Sequence, residues 1–166
     1  MSNSIARALL VKLLACTAAL FVVAPLDAAT CSVTSAVLSF GQYNGLATSP
    51  NLSPGLVRVS CTKDPAAVTE TVTLTLQLLP SAPGAVGSRK LDLGGSSLSF
   101  DMFTDVLRTR PWGDGSAGTS AISGSLTLTA VNTAAVIEFP VYGRIPTGLS
   151  SPVGNYSGQF AIILTY

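Results

Sequence analysis

After residue 30 apolar and polar residues alternate with period two along most of the chain, and no stretch carries a 3.6-residue apolar stripe. "TVTLTLQLL", residues 71 to 79, is the clearest case. Val72, Leu74, Leu76 and Leu78 share one face, and Thr71, Thr73, Thr75 and Gln77 share the other. "GLVRVSC" sets Val57, Val59 and Cys61 against Arg58 and Ser60, and "SSLSFDMF" sets Leu98, Phe100 and Met102 against Ser97, Ser99 and Asp101. "AISGSLTLTA" aligns Ile122, Leu126, Leu128 and Ala130. "AVIEFPVYG" aligns Ile137, Phe139 and Val141, with Pro140 expected at an edge or a bulge because it has no N–H to give a ladder. The last segment, "NYSGQFAIILTY", aligns Tyr156, Phe160, Ile162, Leu164 and Tyr166.

Turn-rich stretches separate these segments: "NGLATSPNLSPG", "LPSAPGAVGS", "PWGDGSAG" and "GRIPTGLSSPVGN". About seven short strands between Gly/Pro/Ser loops predict an all-β chain folded as one antiparallel β-sandwich. No internal repeat or linker divides it. The final alternating segment reaches the last residue of the sequence, so no hairpin partner follows it. One flank of that strand is expected to lie open, exposing backbone hydrogen-bonding groups and core side chains.

The first residues follow a different pattern. "MSNSIARALLVK" carries Arg7 and Lys12 and no acid, and "LLACTAALFVVA" is an apolar run too short to span a bilayer. Residues 1–28 read as an export signal, cut after Ala28 so that the domain spans 29–166. "LLAC" resembles a lipobox that would make Cys16 a lipid anchor, but Lys12 is close ahead of it and the apolar run follows it. A cut near residue 16 is the alternative, and it would leave "TAALFVVAPLDAAT" attached to the domain.

Beyond Ala28 seven basic and seven acidic side chains balance, with no basic patch for nucleic acid or anionic lipid. Cys31 and Cys61 are the two cysteines that survive export. In an oxidising compartment an even pair reads as a disulfide, the alternative being two buried thiols. The chain contains no histidine, so neither a Ser-His-Asp nor a Cys-His nucleophile can be assembled, and the commonest zinc ligand is missing. Asp101 with Asp105, or Asp92 with Asp114, read as solvated turn residues, and "GDG" at 113 to 115 as a tight turn rather than a calcium loop. No enzyme activity, cofactor, metal or small-molecule substrate is expected.

Several phrases in order carry a resemblance: "CSVTSAVLSFGQYNGL" at 31 to 46, "VRVSC" at 57 to 61, "SRKLDL" at 88 to 93, "LSFDMFTD" at 98 to 105, "PWGDGS" at 111 to 116, "VYGRIP" at 141 to 146 and "GNYSGQFAIILTY" at 154 to 166. Together they resemble the spore coat protein U domain, the subunit module of archaic chaperone–usher pili. The chain departs from that family where Ser157 and Gly158 stand in place of a common aspartate, and where the loop before Pro152 lacks a glutamine. The resemblance implies an incomplete immunoglobulin-like sandwich whose last strand is missing and supplied by a partner. A periplasmic chaperone would lend that strand in transit. An outer-membrane usher would then exchange it for the N-terminal extension of another subunit, which is β-strand addition used as polymerisation. Phe160, Ile162, Leu164 and Tyr166 become candidates for the strand-acceptor groove, although each also reads as core.

A donor strand needs about ten extended residues, roughly 33 Å of chain, ahead of the disulfide. With a cut after Ala28 only Ala29 and Thr30 precede Cys31, so the subunit is expected to accept a strand without giving one. It would pass through the periplasm to the cell surface as a tip or terminal subunit of a pilus, or as a coat component. The alternative is a tip adhesin for a surface or glycan, with Trp112, Tyr43 and Tyr142 as candidate contacts. Trp112 reads more readily as a loop anchor packed on the sandwich.

Overall fold

The computed structural model describes residues 28–79 and 89–166. Its strands are β1 (Thr30–Leu38), β2 (Gln42–Tyr43), β3 (Asn51–Thr62), β4 (Thr69–Leu78), β5 (Arg89–Leu93), β6 (Ser96–Phe103), β7 (Ile122–Thr129), β8 (Ala134–Ile145), β9 (Gly154–Asn155) and β10 (Ile162–Thr165). The larger sheet runs β1-β3-β8-β6-β5, the smaller β10-β4-β7, and β2 pairs with β9; every one of these strand pairs is antiparallel. The architecture is an immunoglobulin-like all-β sandwich. Alternation explains which faces meet. Val57, Val59 and Cys61 of β3, Val72, Leu74, Leu76 and Leu78 of β4, and Leu98, Phe100 and Met102 of β6 are buried in one core.

Three elements differ from the sequence expectation for identifiable reasons. β1 escapes a period-two reading because Thr34 is an extra residue between Val33 and Ser35. This bulge puts Cys31 and Val33 toward the core yet leaves Val37 exposed. Pro140 marks neither an edge strand nor a bulge. It lies opposite Leu56 in an unbroken β3–β8 register, inside a strand that has neighbours on both sides. The ring fits because β6 reaches only Tyr142, Gly143 and Arg144, so at Pro140 β8 has one strand neighbour and no second ladder to break. The C-terminal strand is also shorter than its alternation suggests, covering only Ile162–Thr165.

The β5–β6 hairpin extends the larger sheet beyond β8, and the core closes around its Leu91, Leu98 and Phe100, with Phe40 edge-to-face on Phe100 at 5.8 Å. A second closure is made by the segment around Trp112. The Trp112 N–H donates to the Met102 carbonyl of β6 at 2.8 Å, and the Leu78 N–H of β4 donates to the Gly113 carbonyl at 3.2 Å. The indole N–H donates to the Leu76 carbonyl at 3.1 Å, and Trp112 is fully buried. Its carbonyl accepts a hydrogen bond from the buried Arg89 guanidinium. Burial lowers the Arg89 pKa, and the nearby Asp101 charge opposes that shift. Cys31 and Cys61 face each other across β1 and β3 and form a disulfide.

Two stability outcomes follow from these closures. Trp112→Ala removes a fully buried ring and its hydrogen bond to the Leu76 carbonyl, and is expected to cost about 3–5 kcal/mol in urea unfolding followed by far-UV circular dichroism. A loss below about 1 kcal/mol would show that the corner holds without it. Replacing both cysteines by alanine opens a covalent loop with a sequence separation of 30 and is expected to cost about 3–4 kcal/mol in the same assay.

Candidate strand-acceptor groove

β1 and β10 are edge strands, as β5 and β7 are at the other ends of the same two sheets. Among the described residues, β1 pairs only with β3 and β10 only with β4. β10 covers just Thr75 to Leu78 of β4, whereas β7 covers Thr69 to Leu76 on the other flank. Toward its start β4 therefore has no described strand on the β10 side. Both single-partner strands lean on the same core, through Val33 and Leu38 from β1 and Ile162 and Leu164 from β10. These side chains are half-buried, so the core is exposed along a line between two edges whose backbone groups are unpaired.

β10 alternates as a half-covered strand should. Ile162 and Leu164 turn inward, while Ile163 turns outward and is 41% exposed. Phe160, just ahead of the strand, is half-buried and lines a cavity of about 320 Å³ together with Leu38, Phe40, Leu91 and Phe100. Of the four sequence-predicted groove residues, Phe160, Ile162 and Leu164 come together on this line. Tyr166 lies beyond the end of β10 and is 54% exposed, so it does not join them in this structure.

The approach to β10 explains its brevity. Ser157 exchanges two backbone hydrogen bonds with Asp92 of β5, at 2.7 and 3.1 Å. The next residue, Gly158, passes so close to the Lys90 carbonyl that a Cβ would sit 2.7 Å from it. Only glycine fits that approach without displacing the backbone. The chain is thus held first by β5 and then by β4, where the Leu79 N–H donates to the Ala161 carbonyl at 3.0 Å. Ser157 and Gly158 make this crossing.

The aromatic candidates for contact with a surface or glycan are placed elsewhere. Trp112 is a core anchor, as described, and is closed to any external ligand. Tyr43 is buried as well. Its hydroxyl donates to the Leu149 carbonyl at 2.9 Å and its ring meets Tyr156 edge-to-face at 6.0 Å. Both stood as candidate contacts under the alternative adhesin reading, Trp112 also as a packed loop anchor, and burial closes both: the Tyr43 hydroxyl and the Trp112 indole each donate to a backbone carbonyl. Tyr142 remains half-buried, with the Arg108 guanidinium 5.7 Å from its ring centre. Sequence reasoning missed Leu38, Phe40 and Val33, which pack against the same core. Their signal, "CSVTSAVLSF", is broken by the β1 bulge. Among the described residues no three His, Cys, Asp or Glu side chains cluster as a metal site would need.

Arg108 owes its position to a tight turn built by Asp105. The Asp105 carboxylate accepts hydrogen bonds from the Thr109 and Arg110 N–H groups at 3.0 and 2.7 Å, and from the Thr109 hydroxyl. Desolvation pushes its pKa up, but the hydrogen bonds from Arg110 and Thr109 together outweigh it, and the net shift is downward. A lowered carboxylate stabilises the fold above the unfolded-chain pKa, about 3.9, and that contribution fades as pH falls through the lower folded value. Amide hydrogen exchange at Thr109 and Arg110 is therefore expected to be slow above about pH 5, after correction for intrinsic rates, and to lose protection on acidification. Asp105→Ala should abolish the protection at every pH.

A family model described as Spore Coat Protein U domain matches residues 17–162. The match takes in all of the described strands up to the start of β10 and begins inside the N-terminal apolar run. No curated protein matches the chain.

Proposed function

The chain belongs to the spore coat protein U domain family, whose members are pilus- or coat-type structural subunits, and from that premise we propose that it works as a strand acceptor. A periplasmic chaperone first lends an extended segment to the line between β1 and β10. An outer-membrane usher then presents the subunit to its neighbour, whose extension takes the same place. The subunit ends at the cell surface in a fibre or coat, with attachment and biofilm formation as its setting.

The observation that carries this reading is the pair of strand edges with single partners, flanking half-buried Ile162, Leu164, Val33 and Leu38. A strand laid along β10 satisfies its free backbone groups, each hydrogen bond contributing roughly 0.5–1.5 kcal/mol net. Every second side chain of that strand enters the line, where full burial of a Leu or Val contributes about 1.5–3 kcal/mol. Backbone pairing supplies affinity and the alternating pockets supply register. The rival reading, a tip-located binding module, retains only Tyr142 of its three aromatics as a partly accessible side chain.

Neighbouring positions on β10 separate the two faces. Co-expressed with its chaperone, Leu164→Asp is expected to lose soluble chaperone complex by tenfold or more, because a charge then faces the incoming strand's apolar row. Ile163→Asp, on the exposed face, is expected to keep the complex within about twofold of the unmodified chain. Equal yields for the two variants would overturn the acceptor reading.

A further inference from the structure

We propose that the Glu70 carboxylate is the receiving site for the α-ammonium released when the chain is cut between Ala28 and Ala29. The Ala29 N–H donates to Glu70 Oε1 at 2.6 Å across a sequence separation of 41 residues. Ala29 itself is 5% exposed and belongs to the core, while Ala28 lies exposed. The peptide bond between them therefore marks the boundary between accessible chain and packed chain. Burial begins on the side that would be kept.

Glu70 opens β4 with a half-buried carboxylate that has only amide donors. Its second oxygen accepts the Asp64 N–H at 3.4 Å. The nearby cation, Lys63, is buried and spends its ammonium on the carbonyls of Asp64 and Ala67, and the Asp64 carboxylate accepts the Ala66 N–H. Among the described residues neither ion pair includes Glu70. A half-buried anion without a cation is in search of one, since a charged donor makes a stronger hydrogen bond than an amide does.

Cleavage supplies that donor at an atom already in place. An endopeptidase adds water across the Ala28–Ala29 bond. The hydroxyl joins the Ala28 carbonyl carbon and a proton joins the Ala29 nitrogen, which takes a second proton from solvent to become an ammonium. The same nitrogen that gave one hydrogen to Glu70 as an amide now carries a full positive charge, and β1 need not move. Processing thus locks the start of β1 onto the start of β4, and it leaves Ala29 and Thr30 alone ahead of Cys31. This inference concerns the chain's own terminus and stands whatever fills the groove.

The test uses the secreted protein and three companions: a chain with Ala28 retained as its first residue, Glu70→Gln, and both changes together. Intact mass is expected to place the first residue at Ala29. Retaining Ala28 moves the ammonium away from the carboxylate and should lower the Tm by about 3–5 °C. Glu70→Gln should lower it similarly in the Ala29 chain but by much less in the Ala28 chain. Acylation of the terminal amine, read from its peptide mass, should be about tenfold faster in Glu70→Gln, as a pKa lower by one unit implies. A different first residue, or a Glu70→Gln effect equal in the two chains, would overturn the proposal. If Glu70→Gln does not accumulate, equal Tm and equal acylation rates for the Ala29 and Ala28 wild-type chains would do so. Failure here leaves the Leu164 and Ile163 comparison untouched.

Discussion

Backbone hydrogen bonding at the rims of the two sheets is the constraint on which this sandwich depends. Five strands span about 24 Å and three about 14 Å at the usual strand spacing, so the smaller sheet cannot cover the larger one by itself. At one corner the chain meets the deficit with the Trp112 segment, which bonds to β6 on one side and β4 on the other. An end is covered by the β5–β6 hairpin and the Ser157 crossing. Between β1 and β10 no described element does the same.

Covalent and packing forces hold that line in register. The disulfide fixes the start of β1 against the end of β3, and the bulge at Thr34 then redirects the strand so that Leu38 returns toward the core beside Phe40. On the opposite rim β10 is anchored by four register pairs with β4, and Gly158 sets its angle of entry. These contacts, all from the fold's own chain, fix the spacing between β1 and β10.

The sequence was most informative where one face is buried without interruption. β4, β3 and β6 were legible because Leu74, Val59 and Leu98 repeat every second residue on a single buried face. β1 was not read as a strand since one extra residue inverts its alternation midway, and β5 is too short to show a period. The groove was half legible. Ile162 and Leu164 alternate within β10, but its far wall comes from residues more than a hundred positions away, whose approach depends on long-range pairing that no local pattern encodes. Trp112 and Tyr43 misled for a chemical reason. Loop aromatics with a polar tip suit a binding surface and a buried anchor equally well, and only the reach to the Leu76 and Leu149 carbonyls decides between them.

Trp112 is the chain's one tryptophan, and it is sealed in the corner opposite the open rim. The protein therefore carries a built-in optical probe of a single location. Its indole bonds the Leu76 carbonyl, and Leu76 is also the residue that faces Leu164 across the β4–β10 ladder. Emission shielded from water therefore reports, without any added dye, on a corner that lies one strand away from the free flank of β10.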